Sequence, residues 1–273
     1  MAELERGVYE HLITQGLDER LRLVDDDLVA RGRLDPADAD ELLARPIAAL
    51  ARRALRAVPG SDGQRLAAQV AVANRIADSI AALRPDLVDG ADLVADPGEL
   101  LAAIIDRPPA PREPRFPVRP ATPLSTGALL VNGRDQPRIG HEVAHELASA
   151  DGVELLCAFI KWYGVRLLAE PIRELIARGG RLRVISTSYL GATDQRALDR
   201  LAELGAEIKI SYETRTTRLP AKAWLFRRGN GTSTAYVGSS NLSRTALLDG
   251  VEWNVRVSNL EQPHVVDTLY SGN

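Results

Sequence analysis

Lys222 precedes the turn Gly238-Ser239-Ser240-Asn241 by sixteen residues, and Glu252 follows Asn241 by eleven. A lysine is a fixed positive charge, and a serine hydroxyl and an asparagine amide on a tight turn are hydrogen-bond donors. Such a set suits an anion, above all a phosphate whose charge gathers on its non-bridging oxygens as it reacts. A helix starting near Leu242 would aim free N–H groups at the same oxygens. Arg215, Arg218, Lys222, Arg227 and Arg228 fall within fourteen residues. That local basic patch is compatible with phosphate binding, although most such runs are solvated faces. Gly238, Ser240, Arg218, Trp224 and Lys161 complete the candidate substrate contacts. Trp224 stands two residues from Lys222, so on a strand both point to one face, and Trp224 is expected to wall the site. Lys161-Trp162-Tyr163 offers charge plus stacking for nucleic acid, or a Trp162 that caps the core. Ser186, Thr187, Ser188 and Tyr189 follow a strand and are second-tier contacts.

Other groups read as decoys. His141-Glu142-Val143-Ala144-His145 matches the pattern H-E-x-x-H, which puts two imidazoles on one helix face. A zinc site there needs a third ligand from another helix, with Glu170 and Glu174 the nearest acidic candidates, and a surface helix is the expected reading. His11 and His264 are isolated. Cys157 lies in an apolar run and reads as a small hydrophobe.

The elements that must position these residues fall into two blocks. Residues 1–106 read as a helical domain. Asp35-Pro36 starts a helix to roughly Val58, Gln64–Leu83 forms another, and Asp96-Pro97 opens a short one ending near Asp106. Residues 107–123 contain seven prolines and form an extended linker. In residues 124–273 short apolar runs at 153–160, 181–187, 206–210, 222–226, 234–238 and 252–257 alternate at first with helices at 139–150, 165–178 and 194–204. That pattern specifies an α/β fold with a central mixed sheet.

With 273 residues and a single cysteine, no internal disulfide forms, which fits a reducing cytoplasm. The N-terminus has no signal-peptide pattern, and no run of eighteen apolar residues exists, so no membrane partner is expected. Residues 1–121 carry 16 Lys+Arg against 21 Asp+Glu, and residues 122–273 carry 18 against 16. There is no G-x-x-x-x-G-K-[ST] sequence and hence no motor in this chain.

RLPAKAWLFRRGNGTSTAYVGSSNLSRTALLDGVEWNVRV closely resembles the single-motif phospholipase D-like nuclease domains at the N-terminus of bacterial superfamily-two DNA helicases. The likeness runs through PLSTGALL, FIKWYG, GGRLRVIST, YLGATD and VGSSNLS. The family signature is His-x-Lys, then Gly-Ser-x-Asn, then an acidic residue, matched here by Lys222, Gly238 to Asn241 and Glu252. The resemblance implies a phospholipase D-like sandwich with DNA phosphodiesters as substrate, no metal and no cofactor. A histidine nucleophile would form a phospho-enzyme, and a second histidine would protonate the leaving oxygen. Glu252 would orient a histidine. One motif per chain implies a two-fold homodimer, and the family context implies a helicase motor as partner. The family's acidic residue shortly after the lysine is missing. More consequentially, Pro220 occupies the position of the nucleophilic histidine. The expectation is an impaired phosphodiesterase or an inactive DNA-binding and dimerisation module in defence or repair. The last helical pattern begins at Gln262, so the expectation is also a C-terminal truncation.

Overall fold

The computed structural model describes residues 4–96, 98–105, 113, 116–133, 137–188, 192–212 and 222–271. Two compact units divide the chain, Met1–Ala102 and Ala103–Asn273.

Among the described residues the N-terminal unit holds three α-helices: α1 (Gln15–Leu21), α2 (Ala39–Arg56) and α3 (Asp62–Leu83). The Thr14 side chain accepts the Leu17 N–H and so starts α1. Gln69 donates to the Leu55 carbonyl at 2.9 Å, linking α3 to α2. No described residue of this unit is buried. Residues 98–105 are irregular, which corrects the helix expected from Asp96-Pro97. Proline at a first helical position permits a helix, but Leu100, Leu101 and Ile104 are exposed, so no packing of an apolar face supports one. Helix α3, at 22 residues, is long and apolar enough by composition to cross a membrane. Arg75 and Asp78 interrupt its apolar run, and each charge at a span's centre costs roughly 2.5–3.5 kcal/mol.

The C-terminal unit is built on seven strands: β1 (Ala128–Leu130), β2 (Gly152–Cys157), β3 (Arg181–Thr187), β4 (Glu207–Ser211), β5 (Lys222–Arg227), β6 (Ser233–Gly238) and β7 (Asn254–Ser258). They form one mixed sheet in the order β1-β7-β6-β5-β2-β3-β4. Strands β2, β3 and β4 are parallel, and all other pairings are antiparallel. Helices α5 (Trp162–Ala177) and α6 (Gln195–Glu203) cross over between the parallel strands, as parallel pairing requires. Gly179 and Gly205 follow these helices at φ +85° and +98°, the left-handed stop that glycine allows.

Both faces of the sheet are packed. On one face Ile139, Val143 and Leu147 of α4 (Ile139–Ser149) join Val165, Leu168 and Ile172 of α5 against Leu155, Val184, Trp224 and Phe226. On the other, Val266 of α7 (Pro263–Ser271) covers Ala223, Leu225, Ala235 and Val257. The α/β reading with a central mixed sheet, preceded by a helical part, therefore holds. Strand β1 is an addition to the sequence reading.

Beneath α4 lies a buried ionic hub. Glu146 has no exposed surface, and its carboxylate accepts from Arg228, Arg256, Thr234 and Tyr236. Arg256, equally buried, donates at 2.7 and 2.6 Å to the carbonyls of Pro123 and Thr126. Two arginines against one carboxylate leave a buried positive charge, which the Pro123 and Thr126 carbonyls help to satisfy.

Candidate functional site

One end of the sheet collects the chemistry. Strand β2 ends at Cys157, which pairs with Lys222 at the start of β5. Strand β6 ends at Gly238, opposite Asn254 at the start of β7. Antiparallel order alone thus brings Lys222 and the Gly238-Ser239-Ser240-Asn241 turn to the same edge.

Cys157 binds the turn from below. Its sulfur accepts the Leu242 N–H at 3.2 Å and lies 3.9 Å from the Asn241 Oδ1. Burial pushes the thiol above its ordinary range, and the nearby Lys222 charge opposes that shift. The thiol stays protonated at neutral pH and donates to the Phe159 carbonyl at 3.3 Å.

Two glycines fix the turn's position. A Cβ on Gly238 would overlap the Trp253 carbonyl oxygen, and one on Gly164 of α5 would overlap the Leu242 carbonyl. The Lys161 N–H donates to that Leu242 carbonyl at 2.8 Å. The turn is therefore clamped between β7 and the start of α5.

Ser239 is exposed and faces Glu252, to which its hydroxyl donates. The Trp253 N–H donates back to the Ser239 oxygen at 3.0 Å. Glu252 and Ser239 thus form one unit at the mouth of the site. Asn254, a residue that the sequence reading passed over, is buried and donates at 2.8 Å to the Ser240 hydroxyl. A polar residue opening a strand carries no sequence signal that separates this role from an edge position.

Several expected contacts sit elsewhere. Ser240 is buried and turned toward Asn254, so it braces the turn from inside. Trp224 shares Lys222's face, but it is 5% exposed and stacks on Phe226 in the core. Lys161 pairs with Asp194 at 3.1 Å. Asp194 also accepts the Trp162 N–H, and that bond, aided by Lys161, holds its carboxyl below the usual range. Ser186 and Thr187 are buried. The basic run is not one patch. Arg227 and Arg228 lie at the far end of β5 from Lys222, on the order of 17–20 Å away. There Arg228 is bound to Glu146, and Arg227 pairs with Glu154. Arg215, Arg218, Tyr189 and Pro220 lie outside the described residues. No helix begins at Leu242; a single π-type turn spans Thr245–Asp249, and the Leu242 N–H is occupied by Cys157.

In the H-E-x-x-H segment, Glu142 is buried and accepts from the backbone N–H groups of Ala121 and Thr122. Among the described residues no group of three or more His, Cys, Asp or Glu side chains converges as a metal site. What remains at the sheet end is a cation, two donors and a carboxylate around a rigid turn.

Among solved structures the chain is similar to NucT from Helicobacter pylori. The identity is 14% over 53% of this chain and 92% of that one, with a TM-score of 0.41. It is also similar to Nuc from Salmonella typhimurium, a phospholipase D family member, at 14% over 54% and 90% with a TM-score of 0.39. A yeast tyrosyl-DNA phosphodiesterase variant matches at 12% over 49% and 32%, with a TM-score of 0.35. No protein-family model and no curated protein matches the sequence. At such identities and scores, what this chain does rests on its own residues.

Proposed function

We propose that the C-terminal unit is a phospholipase D-superfamily nuclease-like module that acts on DNA phosphodiesters and is catalytically impaired by Pro220. The supporting observation is the gathering of Lys222, Ser239 and Asn241 at one sheet end, around the turn that Cys157 holds. Lys222 neutralises a non-bridging phosphate oxygen, Asn241 donates to it, and Ser239 donates once its hydroxyl turns from Glu252. Glu252 holds the Ser239 hydroxyl now, and would orient a histidine at position 220. With proline there, the position has neither a nucleophile nor a proton donor.

The module works as a homodimer in this reading, because one chain carries one half of a two-histidine site. An apolar strip beside the site supports a second copy. Leu129, Val255 and Val237 are register partners across β1, β7 and β6, each 37–50% exposed. Trp253, 62% exposed, extends the strip toward Glu252.

The test is metal-independent cleavage of single- and double-stranded DNA in EDTA by the parent chain, Pro220→His, and Pro220→His with Lys222→Ala. Pro220→His is expected to raise cleavage by on the order of 10⁴ to 10⁶, the scale of catalytic-triad knockouts, and Lys222→Ala to abolish the gain. A parent as active as the histidine variant refutes impairment. The proline itself favours a second reading, an inactive DNA-binding and dimerisation module of a helicase-associated defence or repair system. A folded Pro220→His variant that binds DNA without cutting it selects that reading.

A further inference from the structure

A groove of about 530 Å³ opens between α5 and α6, lined by Trp162, Arg166, Arg196, Asp199, Arg200 and Glu203 among others. The Arg196 guanidinium stands 3.7 Å over the Trp162 ring. Next to it Arg166 lies 6.0 Å from the ring of Tyr163, which is 58% exposed. Trp162 with Arg166, and Arg196 with Arg200, are i,i+4 neighbours, and all three arginines line the groove that holds the indole. Glu203 is engaged by Arg200 at 2.8 Å, and Asp199 adds one carboxylate to the wall.

We infer that this groove is a stacking subsite for the bases of a single-stranded nucleic acid whose phosphate lies at the Lys222–Asn241 turn. The inference rests on the reading of that turn as a phosphodiester site. An exposed guanidinium plane backed by an indole is a platform on which a base stacks, and Tyr163, in reach of Arg166 though outside the groove wall, offers a second exposed ring at its rim. Arg196 serves as the stacking plane, Arg166 is the cation left for the backbone, and Asp199 is an acceptor for an exocyclic amine. A duplex keeps its base faces stacked on one another, so only an unpaired strand fills the platform. The groove also starts where the site ends. Trp162 follows Lys161, whose N–H is bonded to Leu242 of the turn.

The experiment measures binding at low salt to three probes: a thymidine strand of about twelve residues, an abasic strand of equal length, and a duplex. Arg196→Ala with Tyr163→Ala replaces exposed side chains and is checked for folding by circular dichroism. The pair is expected to weaken the thymidine strand about tenfold while the abasic strand and duplex change less than about twofold. Arg196→Lys, which keeps charge without the planar fork, is expected to lose most of Arg196's share on the thymidine strand. An equal loss on all three probes, or no loss in folded variants, overturns the stacking subsite. Lys222→Ala tests the other reading separately, since a phosphate contact weakens all three probes alike. No effect of Lys222→Ala with the groove effect intact removes the phosphate cradle and leaves the groove standing.

Discussion

The sulfur of Cys157 accepts the Leu242 backbone N–H at 3.2 Å, at the point where β2 pairs with Lys222. A cysteine is the one group here that both fills an apolar strand end and ties down the turn above it. Cys157→Ala strands a buried N–H and is expected to destabilise by roughly 1–3 kcal/mol. Cys157→Ser, which restores an acceptor, is expected to lose less. All three tryptophans, Trp162, Trp224 and Trp253, belong to the C-terminal unit, so urea unfolding followed by tryptophan fluorescence reads this unit alone. Iodoacetamide should label Cys157 only once the unit unfolds, since the thiol is buried and its ionisation pushed up.

Glu146→Ala leaves Arg228 and Arg256 buried without their shared carboxylate. A loss of about 3–5 kcal/mol is expected, as for other broken buried pairs. The same urea titration checks it. An effect below about 1 kcal/mol would place Glu146 among ordinary surface pairs.

Tyr236 supplies an alkaline limit. Burial first, and the Glu146 carboxylate second, hold its phenol well above the ordinary 10.0. The folded state therefore resists a deprotonation that the unfolded chain accepts near pH 10. Stability from this group is complete below that pH and falls above it by up to about 1.4 kcal/mol per pH unit. Tyr270, raised mainly by burial, acts in the same direction. Tyr236→Phe should flatten the decline between pH 9 and 11 relative to the parent, measured as the urea midpoint.

Gly238→Ala and Gly164→Ala attack the turn from its two sides. Each Cβ meets backbone well inside 3.0 Å, so strand β7 or helix α5 must shift. A cost of roughly 1–3 kcal/mol is expected for each. DNA affinity in a salt titration should fall beyond what lost folding explains, because the turn carries Ser239 and Asn241.

The sheet's interior strands were legible because alternation and length are local. RLRVIST reads as strand over the same residues that form β3, and Ile139 starts a helix in both readings. Strand β1 was not legible. Its three residues follow a proline-rich stretch and pair only with β7, so no local pattern announces them. Lys222 and the glycine turn were singled out by residue type, spacing and a family resemblance, and the antiparallel pairing of β5 with β6 brings them to one sheet end. The site's bracing was not legible. Asn254 bonding Ser240, and Arg228 turned inward to Glu146, join residues 14 and 82 positions apart. In a one-dimensional reading Arg228 is one more charge in a basic run, and only the fold shows that its charge is spent on Glu146.

Strand β1 pairs Ala128 with Arg256 and Leu130 with Asn254, partners well over a hundred residues apart in sequence. On a ribosome the parallel half, β2 to β4, has its partners and both crossover helices once Ser211 has emerged. β1 must wait until Arg256 follows, and the Glu146 carboxylate gains Arg228 first and Arg256 last. Loop-closure entropy of that size delays the edge pairing after the local contacts form. The nascent chain therefore passes through a stage with a finished parallel core and an open sheet edge. That stage is where a stalled chain of this protein is most exposed to aggregation.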